Sequence, residues 1–138
     1  MYILLLLLTL VFVYLNVKKD IENFSSSSHI DQHKFLVTFA KTPAAIKRGL
    51  MFRKEKLGAN KGMLFDYGKY IKTKFWMKNT YIPLDILFLD HNYYVIDIYR
   101  NAIPLSEKSI GTNKLFRYAI EIDAKVHENI KIGDKIKL

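Results

Sequence analysis

Phe75-Trp76-Met77-Lys78-Asn79-Thr80-Tyr81-Ile82-Pro83-Leu84-Asp85-Ile86-Leu87-Phe88-Leu89-Asp90 is the stretch whose reading decides the fold. It holds the chain's single tryptophan and passes from a strand-like alternation through a polar corner into a nearly continuous apolar run. Pro83 suits the first position of a strand, where no ladder hydrogen bond is lost. From Leu84 onward, Leu84, Ile86 and Phe88 take one face and Asp85, Leu87 and Leu89 the other. A strand apolar on both faces belongs in the middle of a covered sheet. Asp90-His91-Asn92 closes it as a hairpin turn. The polar residues Lys78, Asn79, Thr80 and Asp85 interrupt segments that must be buried, so this corner is the first place to look for a site.

Outward from that stretch the signals are short and β-rich. Before it, Phe35, Val37 and Phe39 alternate as a strand. Thr42 and Pro43 open a helix as N-cap and first residue, with Ile46 and Leu50 inward. Gly49 marks the helix end or a close backbone approach, and Met51 and Phe52 are assigned to the core. Gly62 to Phe65 reads as a strand, Asp66-Tyr67-Gly68 as a turn, and Lys72 to Met77 as a further strand. After it, Tyr93 to Tyr99 returns with Tyr94, Ile96 and Ile98 inward. Asn101 to Lys114 is a loop. Leu115 to Ile122 is a strand with Phe116, Tyr118, Ile120 and Ile122 on one face. Asp123 caps a short helix with Val126 and Ile130 on one side, and Gly133-Asp134 turns into a last strand from Lys135. The expected fold is α+β and mostly β: about seven short strands in a compact antiparallel curled sheet or small barrel, with one main helix.

The N-terminus is different in kind. Residues 1–17 are almost wholly apolar, short for the ~20 residues a span needs and suited to a signal-peptide core or a membrane anchor. Residues 18–33, with Ser25 to Ser28, read as a polar tether. Residues 34–138 read as the single folded domain. Lys18 and Lys19 come directly after the apolar run and no base precedes it, so the charge rule alone places the folded domain in the cytoplasm. The serine run offers a place for processing and favours export.

Charge and composition narrow the function. There is no cysteine, which removes disulfides, thiolate zinc sites and a thiol nucleophile. The net charge of +9 is concentrated: eleven Lys or Arg lie between Lys41 and Lys78 against Glu55 and Asp66. That segment would make a basic face for an anionic partner, or simply a solvated lysine-rich surface. No motif supports nucleic acid. No phosphate loop, dinucleotide fingerprint or nucleophile elbow occurs, so no cofactor is expected. His29 and His33 sit four apart on the tether, where a metal site lacks a scaffold.

Arg48-Gly49-Leu50-Met51-Phe52-Arg53 behind Thr42-Pro43, then Gly62-Met63-Leu64-Phe65, Phe75 to Thr80, Ile82 to Asp90 and Gly133-Asp134 together resemble the domain of unknown function 192 family. The resemblance covers roughly Phe35 to Leu138. It implies a compact β-rich α+β domain, often behind a signal or membrane segment, which favours export here, and it implies no established activity. Many members carry a Pro-Cys and a second Cys in the loop corresponding to Asn101 to Lys114, where this chain reads Asn-Ala-Ile-Pro-Leu-Ser-Glu-Lys. A redox, metal or disulfide role for that loop is therefore not carried over.

The expected ligand-binding residues are Arg48, Arg53, Trp76, Lys78, Asn79, Thr80 and Asp85. The arginines offer planar forks for a carboxylate or phosphate. Trp76, with Tyr99, would form a stacking platform. The bland reading is that Asn79 and Thr80 build a turn, that Asp85 pairs with Lys78 or an arginine inside the protein, and that Arg48 and Arg53 pair with Asp85 or Glu121. The leading expectation is a non-enzymatic domain, held at or exported across the membrane, that binds a small polar or anionic ligand. The alternatives are a hydrolase or lyase on an envelope polymer, with Asp85 as base and Lys78 or Arg53 as electrostatic stabiliser, and a protein-interaction module using the basic face.

Overall fold

Leu84–Leu89 forms a strand in which every residue is buried, as its two apolar faces require. The computed structural model describes residues 9–19 and 32–138. Contacts divide the chain between Ile30 and Asp31, and each part is described by itself. In the first, residues 9–19 form helix α1. Its apolar side chains from Leu10 to Val17 are exposed. Among the described residues no helix is long and apolar enough to cross a membrane. The readings made for residues 1–8, Ser25 to Ser28 and His29 lie outside the described residues.

The second part holds β1 (Gln32–Lys34), β2 (Leu36–Ala40), helix α2 (Pro43–Arg48), β3 (Lys61–Ile71), β4 (Leu84–Leu89), β5 (Val95–Ala102), β6 (Phe116–Asp123) and β7 (Lys135–Lys137). Five strands form one sheet in the order β2-β3-β6-β4-β5, and β1 pairs with β7 in a second. The fold is α+β and mostly β. The sheet is open, not a closed barrel, and it is not wholly antiparallel: β2 runs parallel to β3, and β1 to β7. β1 and β2 are nearly one extended segment broken at Phe35, whose N–H turns instead to Lys137 O at 2.8 Å.

Side-chain alternation gives the sheet two apolar faces. Leu84, Ile86 and Phe88 join Leu50, Phe65, Met77, Ile82, Phe116 and Ala119 in one cluster. Leu87 and Leu89 join Phe35, Leu64, Val95, Ile120, Ile122, Ile130 and Ile136 in the other. β4 is buried on both sides because each face has its own cover.

Several local readings are corrected. Asp66-Tyr67-Gly68 is not a turn between strands: β3 runs through it with a bulge between Asp66 and Ile71, Gly68 supplying φ 72°. Lys72 to Met77 makes only an isolated bridge, Phe75 to Ile110. Residues 124–130 form turns and no helix, because the Asp123 carboxylate accepts Leu57 N–H at 3.0 Å and Gly58 N–H at 2.8 Å instead of capping. Bulges opposite β4 rephase β5, so Val95 is buried inward. Phe116 packs in the first cluster, apart from Ile120 and Ile122. Phe39 and Phe52 are exposed.

Candidate functional site

Helix α2 starts as its sequence directs: Thr42 Oγ1 accepts Ala45 N–H at 3.1 Å, with Pro43 in the first turn. It ends at Gly49, whose φ of 47° and ψ of −130° suit only glycine. The turn after it is stitched to the polar corner. Phe52 N–H donates to Asn79 O at 2.6 Å, Thr80 N–H to Met77 O at 3.0 Å, and Met77 N–H to Ser106 O at 2.8 Å. Asn79 adopts φ 55°, which asparagine tolerates well. Two segments of different origin are thereby held facing each other, Ile46 to Met51 and Thr73 to Trp76.

Between them lies a cleft of about 170 Å³. Phe65 and Tyr67 of β3 and Glu121 of β6 also line it, with Thr80. Lys47, Arg48 and Lys74 supply cations, and all three are exposed. A Cβ on Gly49 would stand 3.3 Å from Phe65 Cζ and 3.9 Å from Glu121 Oε2, so this glycine lets the turn lie close over the acid. A Cβ on Gly111 would meet Lys74 Cδ at 2.6 Å, so that glycine makes room for the Lys74 stem.

Glu121 is the unusual residue. It stands opposite Met63 on β3 and Ile86 on β4, in mid-sheet on the first apolar face. It is only 5% exposed, and its Oε2 has no hydrogen-bond partner. Burial pushes its carboxyl up to about 8, so at neutral pH it is a neutral acid with a proton to donate. Burial likewise holds the Tyr67 hydroxyl protonated, and the Glu121 charge adds to this once that acid ionises.

The structure brings together Arg48, Trp76 and Thr80 of the expected residues on this cleft. Trp76 is half-exposed, and Lys78 Nζ lies 5.6 Å over its ring. Lys78 pairs with Glu107 at 3.5 Å. Asn79 contributes its backbone to the stitching. Arg53 donates from Nε to Glu55 O and lines an adjacent depression with Arg48, Phe52 and Met63. Tyr99 packs against the first core cluster, whereas the Trp76 ring carries Lys78 Nζ. Asp85 is elsewhere: it is buried, its Oδ2 accepts Arg100 Nη1 at 2.7 Å, and its Oδ1 accepts Asn101 N–H at 2.7 Å. Lys78 and Asp85 therefore do not form an acid–base pair. His33 Nε2 lies 3.0 Å from Asp134 Oδ2, and no group of three metal-ligating side chains occurs among the described residues.

Sequence reasoning gives Glu121 only as an internal partner for an arginine. The signal that finds it is a carboxylate on β6 set two residues from Ala119 and cross-strand from a segment apolar on both faces. Thr73, Lys74 and Tyr67 carry no comparable signal.

These features define a β-rich α+β domain with a basic-rimmed cleft over a buried neutral acid. The chain belongs to the DUF192 family, described as an uncharacterised ACR, whose model matches residues 25–138. Two solved structures share the fold. One is a Sinorhizobium meliloti protein described as a candidate transcription regulator, 35% identical, covering 73% of this chain and 79% of its own, with a TM-score of 0.70. The other is a protein of unknown function from Novosphingobium aromaticivorans, 38% identical, covering 73% of each chain, with a TM-score of 0.69. No curated protein matches the chain.

Proposed function

We propose that this protein is a binding domain, tethered to or exported across a membrane, that takes a small polar or anionic ligand in the cleft between α2 and Thr73 to Trp76. The observation that carries the reading is Glu121 Oε2, buried and without a partner at the base of an open cleft. Buried polar groups are normally satisfied, and an orphan costs roughly 1–3 kcal/mol. A ligand that supplies its partner recovers that energy. Lys47, Arg48 and Lys74 favour negative charge at the mouth. At about 170 Å³ the cleft is smaller than the ~300–1,000 Å³ of pockets that enclose drug-sized molecules. The ligand is therefore small, or one end group of something larger.

The tether is supported by the apolar run of residues 2–15 and by α1, whose successive residues Leu10 to Leu15 are apolar or aromatic and so surround the helix axis. The basic segment from Lys41 to Lys78 would then face anionic material near the membrane.

The test is a thermal-shift screen of the full chain against small acids, amines, sugars and nucleotides, with Trp76 emission read in parallel. A ligand of the native state raises the melting temperature. A hit that moves Trp76 emission and is lost in Thr80→Val and Glu121→Leu supports the cleft. Hits that persist in both variants, with Trp76 silent, would move binding to another surface.

A further inference from the structure

The cleft's donor set selects among ligand classes, given the reading of it as a ligand site. It holds one carboxyl with an unpartnered oxygen, the hydroxyl-bearing side chains of Tyr67, Thr73 and Thr80 also line it, and its other charged residues are the cations Lys47, Arg48 and Lys74. Its walls are largely apolar, from Ile46, Leu50, Phe65, Phe75 and Trp76. An ammonium ligand would meet three like charges on entry. A doubly charged phosphate would bring two charges and four oxygens against largely apolar walls, more than this lining satisfies. One negative charge on an apolar body suits both conditions.

We infer that the cleft takes a small organic monocarboxylate, whose carboxylate accepts a hydrogen bond from the Glu121 carboxyl while its apolar body lies against Ile46, Leu50, Phe65 and Trp76. A carboxylic acid donating to a carboxylate is among the stronger hydrogen bonds available, at about 2.5–2.7 Å. The rim cations Arg48 and Lys47 from α2 and Lys74 from the facing segment offset the ligand's charge. No proton need leave the site: Glu121 keeps it and the ligand enters as the anion.

Binding is therefore linked to the protonation of Glu121. The groups facing it are Lys47 and Arg48 from α2, Tyr67 from β3 and Lys74 before Phe75. β4 contributes only Ile86. Asp123, two residues along β6, is engaged by Leu57 and Gly58 N–H. With Glu121 ionising near 8, the anion loses its donor and gains a repelling charge above that pH. The dissociation constant then rises by up to about tenfold per pH unit.

The experiment titrates the full chain with butyrate, butyramide and butylamine, near-isosteric probes transparent where Trp76 absorbs, at pH 6.5 and 9.5. Trp76, the chain's single tryptophan, reports occupancy. The expected result is tightest binding of butyrate at pH 6.5 and at least a tenfold weakening at pH 9.5, with the wild type folded by circular dichroism at both. Glu121→Gln keeps a neutral donor, so it should retain butyrate binding and lose the pH dependence; Glu121→Leu should lose binding while folded by circular dichroism. Preference for butyramide or butylamine, or wild-type butyrate affinity that ignores pH, overturns the carboxylate assignment and leaves the cleft as a ligand site. No response of Trp76 to any probe at either pH overturns both.

Discussion

Arg100 of β5 donates from Nη1 to Asp85 Oδ2 on β4 at 2.7 Å, and the two side chains are 33% and 2% exposed. The same guanidinium donates to His127 O at 3.1 Å and Ile130 O at 2.6 Å. One buried carboxylate thus fixes the arginine that ties the turns after β6 to the sheet.

Asp85→Ala should destabilise the protein by about 3–5 kcal/mol, because it leaves a partly buried cation and Asn101 N–H without their acceptor. Urea unfolding gives the value. Trp76 emission of the native state should stay unchanged, since Trp76 lines the cleft beside α2, away from Asp85. A loss under about 1 kcal/mol would show that the pair contributes little.

Glu121 sets a pH dependence of stability of known sign. Its folded pKa of about 8 lies above the ordinary value of 4.5, so the folded state holds the proton more tightly. That stability is fully present below about pH 4.5 and is lost progressively as pH rises through about 8, a fall on the order of 5 kcal/mol. Glu121→Gln should flatten this part of the profile and be more stable than the wild type at about pH 9. Parallel profiles for the two proteins in thermal unfolding would reject the buried-acid assignment.

Gly49→Ala should cost about 1–3 kcal/mol, through its left-handed φ of 47° and the 3.3 Å approach of a Cβ to Phe65 Cζ. Any ligand of the cleft should bind more weakly as well, because the added methyl stands beside Glu121 Oε2. The stability term is measured by denaturant titration and the binding term by Trp76 emission.

Asp123→Ala should remove the acceptor of Leu57 and Gly58 N–H and cost about 1–3 kcal/mol. Amide exchange of the loop between Arg53 and Lys61 should accelerate more than that of β4, whose ladder does not use this side chain. Uniform acceleration of loop and sheet would mean that the loop does not open by itself.

The side-chain periods of this chain are legible where they act locally. Leu84 to Leu89 announces a central strand because only burial on both faces tolerates apolar residues at successive positions. Thr42-Pro43 announces a helix start, and Asp90 the hairpin, where its Oδ1 accepts Asn92 and Tyr94 N–H. The bulge in β3 is hidden because Asp66-Tyr67-Gly68 has the composition of a turn. The role of Asp123 is hidden because its partners lie 65 and 66 residues away.

The sequence by itself determined the class of the fold, the central strand, the main helix and its cap, and the polar corner, because each rests on short-range sterics and a repeating burial pattern. It also carried the family. Only the tertiary structure decided how the corner is used. Strand pairing placed Asp85 against Arg100 on one face and Glu121 beneath Gly49 on the other. A one-residue difference in alternation separates those two carboxylates, one fully paired and one left with a buried, unpartnered oxygen. Which of them has a partner depends on residues far apart in the chain, and spacing does not encode that distance.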